Sequence, residues 1–215
     1  MRGDGLPDRA LSATNPTRQT SGQPPLYYLT AALLIRPFDA PAALDDAELF
    51  DLLRRYENRW YSPPDPLNLT DNRNVYTLAY HTAQADAAAR DAALRLMYAG
   101  RVVSWLFGLF GVGAAYAAAA AVFTRRQGWC WTATAVFALT PQYVQMSAIV
   151  HNDIAGVTLA AAATAAALWI ARAGSSPRRL IALGALIGLA GMAKLNALAV
   201  VPGAGLAVLL ALWTP

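Results

Sequence analysis

Four polar side chains stand out in the apolar half of this 215-residue chain. His151, Asn152 and Asp153 follow one another, and Lys194 is the only lysine. Asp153 is also the only acidic residue after position 100, although the chain has 13. Because an ionisable group at the edge of a membrane span is costly, Asp153 is a candidate for a functional site. It could equally serve as the N-cap of a helix that begins at Ile154, and the two roles are compatible.

The elements that would position these side chains are apolar segments long enough to cross a membrane. The chain is 14% charged, whereas soluble domains have about 25% charged residues. A single helix over residues 180–213 would measure about 51 Å, too long for a hydrocarbon core of about 30 Å, so we expect a turn around Lys194–Asn196. A break is also expected near Pro141. The predicted spans are 102–123, 129–150, 154–171, 180–193 and 197–213. The predicted fold class is therefore all-α, a polytopic transmembrane helix bundle of about five spans.

Basic residues in two short loops predict the orientation of this bundle. Both loops lie on one side of it, and together they hold Arg125, Arg126, Arg172, Arg178 and Arg179. Because basic loops normally face the cytoplasm, residues 1–100, His151–Asp153 and Lys194 are predicted to lie outside, in a multi-pass protein of the cell (plasma) membrane. Residues 101–215 carry seven basic side chains and one acidic side chain. This excess is typical of membrane orientation, and we expect no nucleic-acid partner.

Residues 1–100 are predicted to form an extracytoplasmic region of juxtamembrane helices and loops, and residues 101–215 the transmembrane bundle. The run Leu26–Ile35 is too short to span a membrane and fits an interfacial or re-entrant helix. An amphipathic helix is predicted from Asp45 to Trp60. A further helix is predicted from Thr82 to Ala99, ending at Gly100.

The polar N-terminal region would have to cross the membrane without a signal peptide, since residues 1–25 contain none. We therefore expect that a preceding transmembrane helix is missing from this chain and that the chain is cut near Pro215, directly after a span. Cys130 is the only cysteine, so the sequence predicts no internal disulfide and no cysteine metal cluster.

Small residues predict where the helices pack. Gly184 and Gly188 form a GxxxG motif, and Gly108 and Gly111 lie in the first predicted span. Because small residues allow two helix backbones to approach closely, we expect all four glycines to lie on packing faces.

The predicted outer face has the charges that a lipid-linked phosphate needs. Lys194 could hold such a phosphate, or it could be an ordinary lysine that extends toward the membrane surface. Arg101 stands at the mouth of the first span, where it could bind phosphate or simply flank the helix. His151 and Asp153 are a weak pair of metal ligands, and a hydrogen-bonded or solvated histidine is expected instead. The sequence has no nucleotide-binding loop, nucleophile elbow or zinc signature, so no cofactor and no metal site are predicted, with a divalent metal left open.

Four segments, in order, resemble the GT-C superfamily of integral-membrane glycosyltransferases, particularly its protein-O-mannosyltransferase-like and aminoarabinose-transferase-like bacterial members. They are residues 23–28 (QPPLYY), residues 101–104 (RVVS), residues 139–153 (LTPQYVQMSAIVHND) and residues 184–194 (GALIGLAGMAK). The last segment has Ala193 where the superfamily often has threonine. Together they cover residues 23 to about 213.

The resemblance implies an enzyme of the cell envelope that transfers a sugar from a polyprenyl-phosphate carrier to an extracytoplasmic acceptor. Its partners would be the lipid-linked donor and membrane lipid, and neither the sugar nor the acceptor is specified. In the superfamily, a carboxylate of the first outer loop acts as general base, and basic residues hold the leaving lipid phosphate. No matching Asp-Glu pair precedes Gln23, and neither Asp4 nor Asp8 lies in a matching context, so the catalytic residue remains unknown.

The resemblance also assigns two groups of residues to the site. Lys194 and Arg101 would bind the phosphate of the donor lipid. The residues expected to line the site are Gln23, Pro24, Pro25, Tyr27, Tyr28, His151, Asn152 and Asp153.

Two other functions are open to the sequence. A transporter or channel subunit would use Asp153 and Lys194 as an intramembrane ion or substrate site. Transporters usually contain paired repeats, and the sequence shows no internal repeat. The remaining alternative is a non-catalytic membrane scaffold subunit.

Overall fold

A computed structural model describes residues 24–36 and 87–213. Within these ranges the chain forms seven α-helices and no strand, which confirms the predicted all-α class. We number the helices α1 (Leu26–Ile35), α2 (Ala87–Val122), α3 (Gln127–Ala138), α4 (Pro141–Ala148), α5 (Asp153–Ala173), α6 (Pro177–Ala193) and α7 (Val201–Trp213), with a 3₁₀ helix (Leu195–Val200) before α7. The amphipathic helix predicted from Asp45 to Trp60 lies outside the described residues.

The chain divides into two compact units. The first comprises Met1–Gln23 and Ile35–Ala99, of which the structure describes only short parts. The second comprises Pro24–Leu34 and Gly100–Pro215. All side-chain contacts described below lie in the second unit.

Proline and glycine set the ends of several helices. Pro141 and Pro177 stand in the first turns of α4 and α6, where the missing N–H would have no helical partner in any case. Ser176 caps α6 by accepting a hydrogen bond from the main-chain N–H of Arg179. Gly174 ends α5 with a φ of 79°, a left-handed value that favours glycine. The break that the sequence predicted near Pro141 is therefore present, between α3 and α4.

Helix α2 differs from its prediction at Gly100. The helix predicted to end there instead continues from Ala87 to Val122 without interruption. A glycine inside a helix costs only about 1 kcal/mol relative to alanine. The neighbouring residues are mostly alanine, leucine, methionine and arginine, which favour helix strongly enough to carry the chain through Gly100.

Helices α2 and α5 run parallel to each other. Three side chains of α5 donate hydrogen bonds to main-chain carbonyls of α2: Thr158 to Phe107 (2.8 Å), Trp169 to Ala117 (3.1 Å) and Arg172 to Ala120 (3.4 Å). The sequence separation stays at 51 or 52 residues along the whole contact, which only parallel helices allow. The segment between them, α3 and α4, must therefore return along their length.

Of the four glycines expected on packing faces, only Gly108 and Gly111 lie at a close contact between helices that the structure describes. A Cβ at Gly108 would lie 2.6 Å from the Ser147 hydroxyl, and one at Gly111 would collide with the Tyr143 hydroxyl. Tyr143 donates a hydrogen bond to the Gly108 carbonyl at 2.6 Å. The prediction for Gly184 and Gly188 is wrong for the described part of the chain, because no atom there lies within 4 Å of a Cβ at either position.

Helices α5, α6 and α7 share an apolar core built largely from alanine. Its buried members are Ala163, Ala167, Ile170, Leu183, Ala204, Ala207 and Ala211. Small side chains at these positions let the three helices approach closely. This close packing places the first residues of α5 beside the last residues of α6, where the site described below is formed.

Three of the described helices are long and apolar enough to cross a membrane. They are Met97–Val122, Asp153–Ala173 and the continuous run Leu195–Trp213. Helix α6 has 17 residues, and α3 and α4 are shorter, so the predicted total of about five spans remains a prediction.

Candidate functional site

The loop between α4 and α5 presents the three polar residues that the sequence singled out. Helix α5 begins at Asp153, and Asn152 occupies the N-cap position without a side-chain cap. The capping role predicted for Asp153 is therefore wrong. Its carboxylate instead accepts a charge-assisted hydrogen bond from the Lys194 ammonium, a stronger interaction than a bond to a neutral N–H.

Lys194 and Asp153 each occupy a favourable helix end. Asp153 stands in the first turn of α5, where the helix dipole is positive, and Lys194 follows the last residue of α6, where it is negative. Lys194 has an extended backbone, with φ −158° and ψ 130°, which directs the chain from α6 into the 3₁₀ helix. Because both side chains are partly buried, at 31% and 23% exposure, solvent screens this pair less than a surface ion pair.

Gly156 makes room for Lys194. A Cβ at this position, one turn into α5, would lie 2.9 Å from the Lys194 Cβ, closer than real Cβ atoms pack. The sequence interpretation missed Gly156. The only available signal was a glycine in the first turn of an alanine-rich helix.

Asn152 ties the loop to the residue before Lys194. Its side chain is fully buried, and its Nδ2 donates to the Ala193 carbonyl at 3.1 Å. That carbonyl is one of the last four of α6, which have no partner within the helix. The Oδ1 atom of Asn152 is buried and has no hydrogen-bond partner among the described residues. Since buried polar atoms are normally paired, this oxygen is an acceptor that a buried water molecule would satisfy.

Tyr27 connects α1 to the same site. Its hydroxyl shares a 2.6 Å hydrogen bond with Ser104 of α2, and both side chains are fully buried. Burial raises the pKa of Tyr27 above its ordinary value, and hydrogen bonds with Ser104 and with the main chain of His151 offset part of this rise. Tyr27 therefore joins α1, α2 and the loop before α5. The sequence interpretation quoted Ser104 in a motif but gave it no role.

Burial and a neighbouring cation disfavour the protonated form of His151. Its Nδ1 accepts a 3.3 Å hydrogen bond from the main-chain N–H of Asp153 and also lies 3.3 Å from the Asp153 Oδ1. Burial lowers the pKa of His151, and the nearby positive charge of Lys194 lowers it further. The described residues include no group of three His, Cys, Asp or Glu side chains that could hold a metal ion.

The structure thus brings together parts of all four segments quoted above. Tyr27 contacts Ser104 and the main chain of His151, and Asp153 contacts Lys194. Arg101 is half-buried and lies one helical turn before Ser104. Three further predicted site residues lie at or before the start of α1: Pro24 and Pro25 are half-buried, and Gln23 is outside the described residues. Tyr28 follows, with its ring at an edge-to-face angle 5.4 Å from that of Tyr27.

A family comparison now identifies the class. Residues 94–215, more than half of the chain, match the family model described as dolichyl-phosphate-mannose-protein mannosyltransferase. Together with the helical fold and its membrane-length helices, this match defines a membrane glycosyltransferase of the GT-C type. The chain belongs to the dolichyl-phosphate-mannose-protein mannosyltransferase family. No match was found among curated proteins or among solved structures.

Proposed function

We propose that this chain holds the phosphate of a polyprenyl-phosphate-linked sugar donor while the sugar is transferred to an extracytoplasmic acceptor. The observation that carries the proposal is the position of Lys194. This sole lysine directly follows α6 and is held by the carboxylate of Asp153, the first residue of α5. Asp153 in turn directly follows His151 and Asn152 in the chain. An ammonium held at the edge of membrane-length helices suits a lipid-linked phosphate.

The chemistry requires positive charge on the leaving side of the donor. When the bond between the anomeric carbon and the phosphate oxygen breaks, that oxygen takes the electron pair and the lipid phosphate gains negative charge. The Lys194 ammonium and the Arg101 guanidinium would stabilise this charge by electrostatic attraction and hydrogen bonding. A pre-oriented ammonium stabilises the transition state without reorganising during the reaction, and its pair with Asp153 provides that orientation.

The acceptor hydroxyl attacks the anomeric carbon and loses its proton to a base. Asp153 is not assigned this role, because its carboxylate is occupied by Lys194. His151 and Asp153 instead line and orient the site, and the catalytic base is left unassigned.

The N-terminal part of the site would line the cavity that the donor and acceptor share. Pro24 and Pro25 lead into α1, and Tyr27 and Tyr28 are its second and third residues. Gln23 is included in this wall by its place in the QPPLYY segment. The proposal places this cavity on the outer face of a multi-pass protein in the plasma membrane, where it would serve the cell envelope.

The proposal is tested by sugar transfer from a polyprenyl-phosphate donor in membranes that contain the full chain. We expect Lys194→Ala to reduce the rate at least about 100-fold, the usual effect of removing one group that stabilises developing charge. Asp153→Asn should reduce it less, because the ammonium remains but is no longer oriented. Arg36→Gln removes an exposed charge outside the site and is the matched control.

Unchanged activity in both Lys194→Ala and Asp153→Asn would refute the site assignment. The orientation is tested separately, with a topology reporter inserted in residues 60–75. A reporter signal from the cytoplasm would refute the outward-facing site even if the transfer activity were confirmed.

A further inference from the structure

The end of the bundle far from Lys194 carries five exposed arginines. We call this set the arginine surface: Arg125, Arg126, Arg172, Arg178 and Arg179. Helix α5, with 21 residues, separates Asp153 from this surface by about 30 Å. In the described part of the chain, none of the five arginines forms an ion pair. The positive charge of this surface is therefore not compensated there.

The two loops that hold these arginines are neighbours. Arg172 donates to the Ala120 carbonyl at 3.4 Å, and Trp169 donates to the Ala117 carbonyl at 3.1 Å. The last turn of α5 thus lies against the last turns of α2, and the loops that follow the two helices start side by side.

Two of the arginines, Arg172 and Arg179, are held in place by contacts with the protein. The Arg179 guanidinium donates to the carbonyls of Ala173 and Gly174, each at 2.7 Å. The Arg172 guanidinium lies 5.3 Å from the centre of the Trp169 ring, within range of a cation–π interaction. Fixed guanidinium groups lose little conformational entropy when an anion binds.

Four of the five arginines stand at the start of a helix, which is electrostatically unfavourable unless an anion is near. Arg125 and Arg126 immediately precede α3, and Arg178 and Arg179 stand in the first turn of α6. The N-terminal end of a helix carries a partial positive charge, so cations there repel it. A negative group over the two adjacent loops would offset this repulsion at both helix starts.

Exposed tryptophans border the arginines. Trp129 and Trp131 lie in the first turns of α3 and are 55% and 58% exposed. Tryptophan prefers the headgroup level of a bilayer. Uncompensated arginines beside exposed tryptophans, at the ends of membrane-length helices, fit a lipid headgroup better than a soluble anion.

We propose that the arginine surface binds the phosphate groups of anionic phospholipids in the adjacent leaflet. The occupant is a diacyl lipid with a negatively charged headgroup, held by guanidinium–phosphate hydrogen bonds. Such binding would anchor this end of the bundle at the membrane surface. It is independent of the sugar-transfer function, which concerns the opposite end of α5.

The test measures lipid binding to the purified full chain in detergent by native mass spectrometry. The probes are phosphatidylglycerol and phosphatidylcholine, which differ in headgroup charge. The test variant is the triple substitution Arg125→Gln, Arg126→Gln and Arg178→Gln, because these three side chains form no hydrogen bond among the described residues. Each arginine near an anionic surface is worth about fivefold in affinity. We therefore expect the triple variant to bind phosphatidylglycerol at least about tenfold more weakly, with phosphatidylcholine binding unchanged.

The double variant Arg36→Gln and Arg95→Gln is the control for general loss of charge, and it should keep the preference for phosphatidylglycerol. An equal loss in this control, or a triple variant that keeps the preference, would contradict the proposal. So would a wild-type chain that does not prefer the anionic lipid.

Two measurements on the wild-type chain do not depend on the folding of any variant. Raising the salt to about 1 M shortens the Debye length to about 3 Å, and we expect it to abolish most of the preference. A preference that survives high salt would count against an electrostatic site. Inorganic phosphate at millimolar concentration should not displace the lipid, and displacement would indicate a site for free phosphate instead.

Discussion

The two ends of helix α5 differ in how their charged side chains are paired. At its start, the Lys194 ammonium forms an ion pair with the partly buried Asp153 carboxylate, which holds it in one position. At its end, Arg172 belongs to an exposed set of arginines, none of which forms an ion pair within residues 24–36 and 87–213. The first end is internally paired and oriented, which suits the defined position that we propose for the donor phosphate. The second end presents an open positive field, which suits mobile anionic headgroups.

A large effect on stability is expected from removing Lys194. Lys194→Ala leaves the Asp153 carboxylate without its partner, and we expect it to lower the free energy of unfolding in detergent by about 2 kcal/mol. This value lies between those of buried and exposed ion pairs. Denaturant titration measures it, and Arg178→Ala at the other end should change it by less than about 0.5 kcal/mol. In the double variant with Asp153→Asn, the two losses should not add, and full additivity would show that the pair is not coupled.

Gly156→Ala should cost about 1–3 kcal/mol, because the new methyl group overlaps the Lys194 side chain, and overpacking of this kind has that cost. Gly184→Ala is the control, since a Cβ there meets no described atom within 4 Å. Alanine favours helix over glycine, so this control should be neutral or slightly stabilising. Equal thermal midpoints for the two variants would mean that Lys194 does not pack against Gly156.

Tyr27→Phe should lower the free energy of unfolding by about 1–2 kcal/mol, because it leaves the buried Ser104 hydroxyl without its partner. Ser104→Ala should have a similar effect. Removing both hydroxyls should cost less than the two single changes together, because neither polar group is then left unpaired. A double variant that loses the full sum in chemical denaturation would contradict the contact between α1 and α2.

The smallest expected effect is a pH dependence at the site end. The pKa of His151 is lowered from its ordinary 6.5, so the unfolded chain takes up this proton first as the pH falls. The contribution of His151 to stability is therefore present above pH 6.5 and is lost as the pH falls toward the folded-state pKa. We expect the thermal midpoint to decrease from pH 7.5 to pH 5.5 and His151→Gln to reduce that decrease. An unchanged pH profile in His151→Gln would contradict the neutral, hydrogen-bonded imidazole.

The sequence alone predicted the all-helical class and two of the breaks between helices, near Pro141 and near Lys194. Hydrophobic runs of membrane length leave few alternatives to helices. Pro141 blocks a continuous helix, and the length of residues 180–213 requires a turn near Lys194. The sequence could not locate the ends set by tertiary contacts. Gly100 is a helix breaker by type but lies inside α2, since the preferences of its neighbours outweigh its cost.

The candidate site was predicted in its parts but not in its connections. The sequence selected Asp153 and Lys194 because they are isolated charges, and the predicted topology placed them on one side. Their direct pairing across 41 residues depends on how α5 and α6 pack, which no local pattern records. The same holds for Asn152, whose bond to the Ala193 carbonyl depends on where α6 ends. Gly184 and Gly188 form a packing motif in the sequence, but they meet no other helix among the described residues. A motif of this kind does not specify which face of the helix contacts a partner.

Photocrosslinking would show directly whether the donor phosphate lies beside Lys194. A polyprenyl-phosphate sugar that carries a photoreactive group beside its phosphate would be crosslinked to the full chain, and the labelled peptides identified by mass spectrometry. We predict labelling in residues 151–156 and 190–196, around Asp153 and Lys194, with loss of the label in Lys194→Ala. Labelling confined to residues 124–131 and 172–180, at the arginine surface, would contradict the assignment of the two ends.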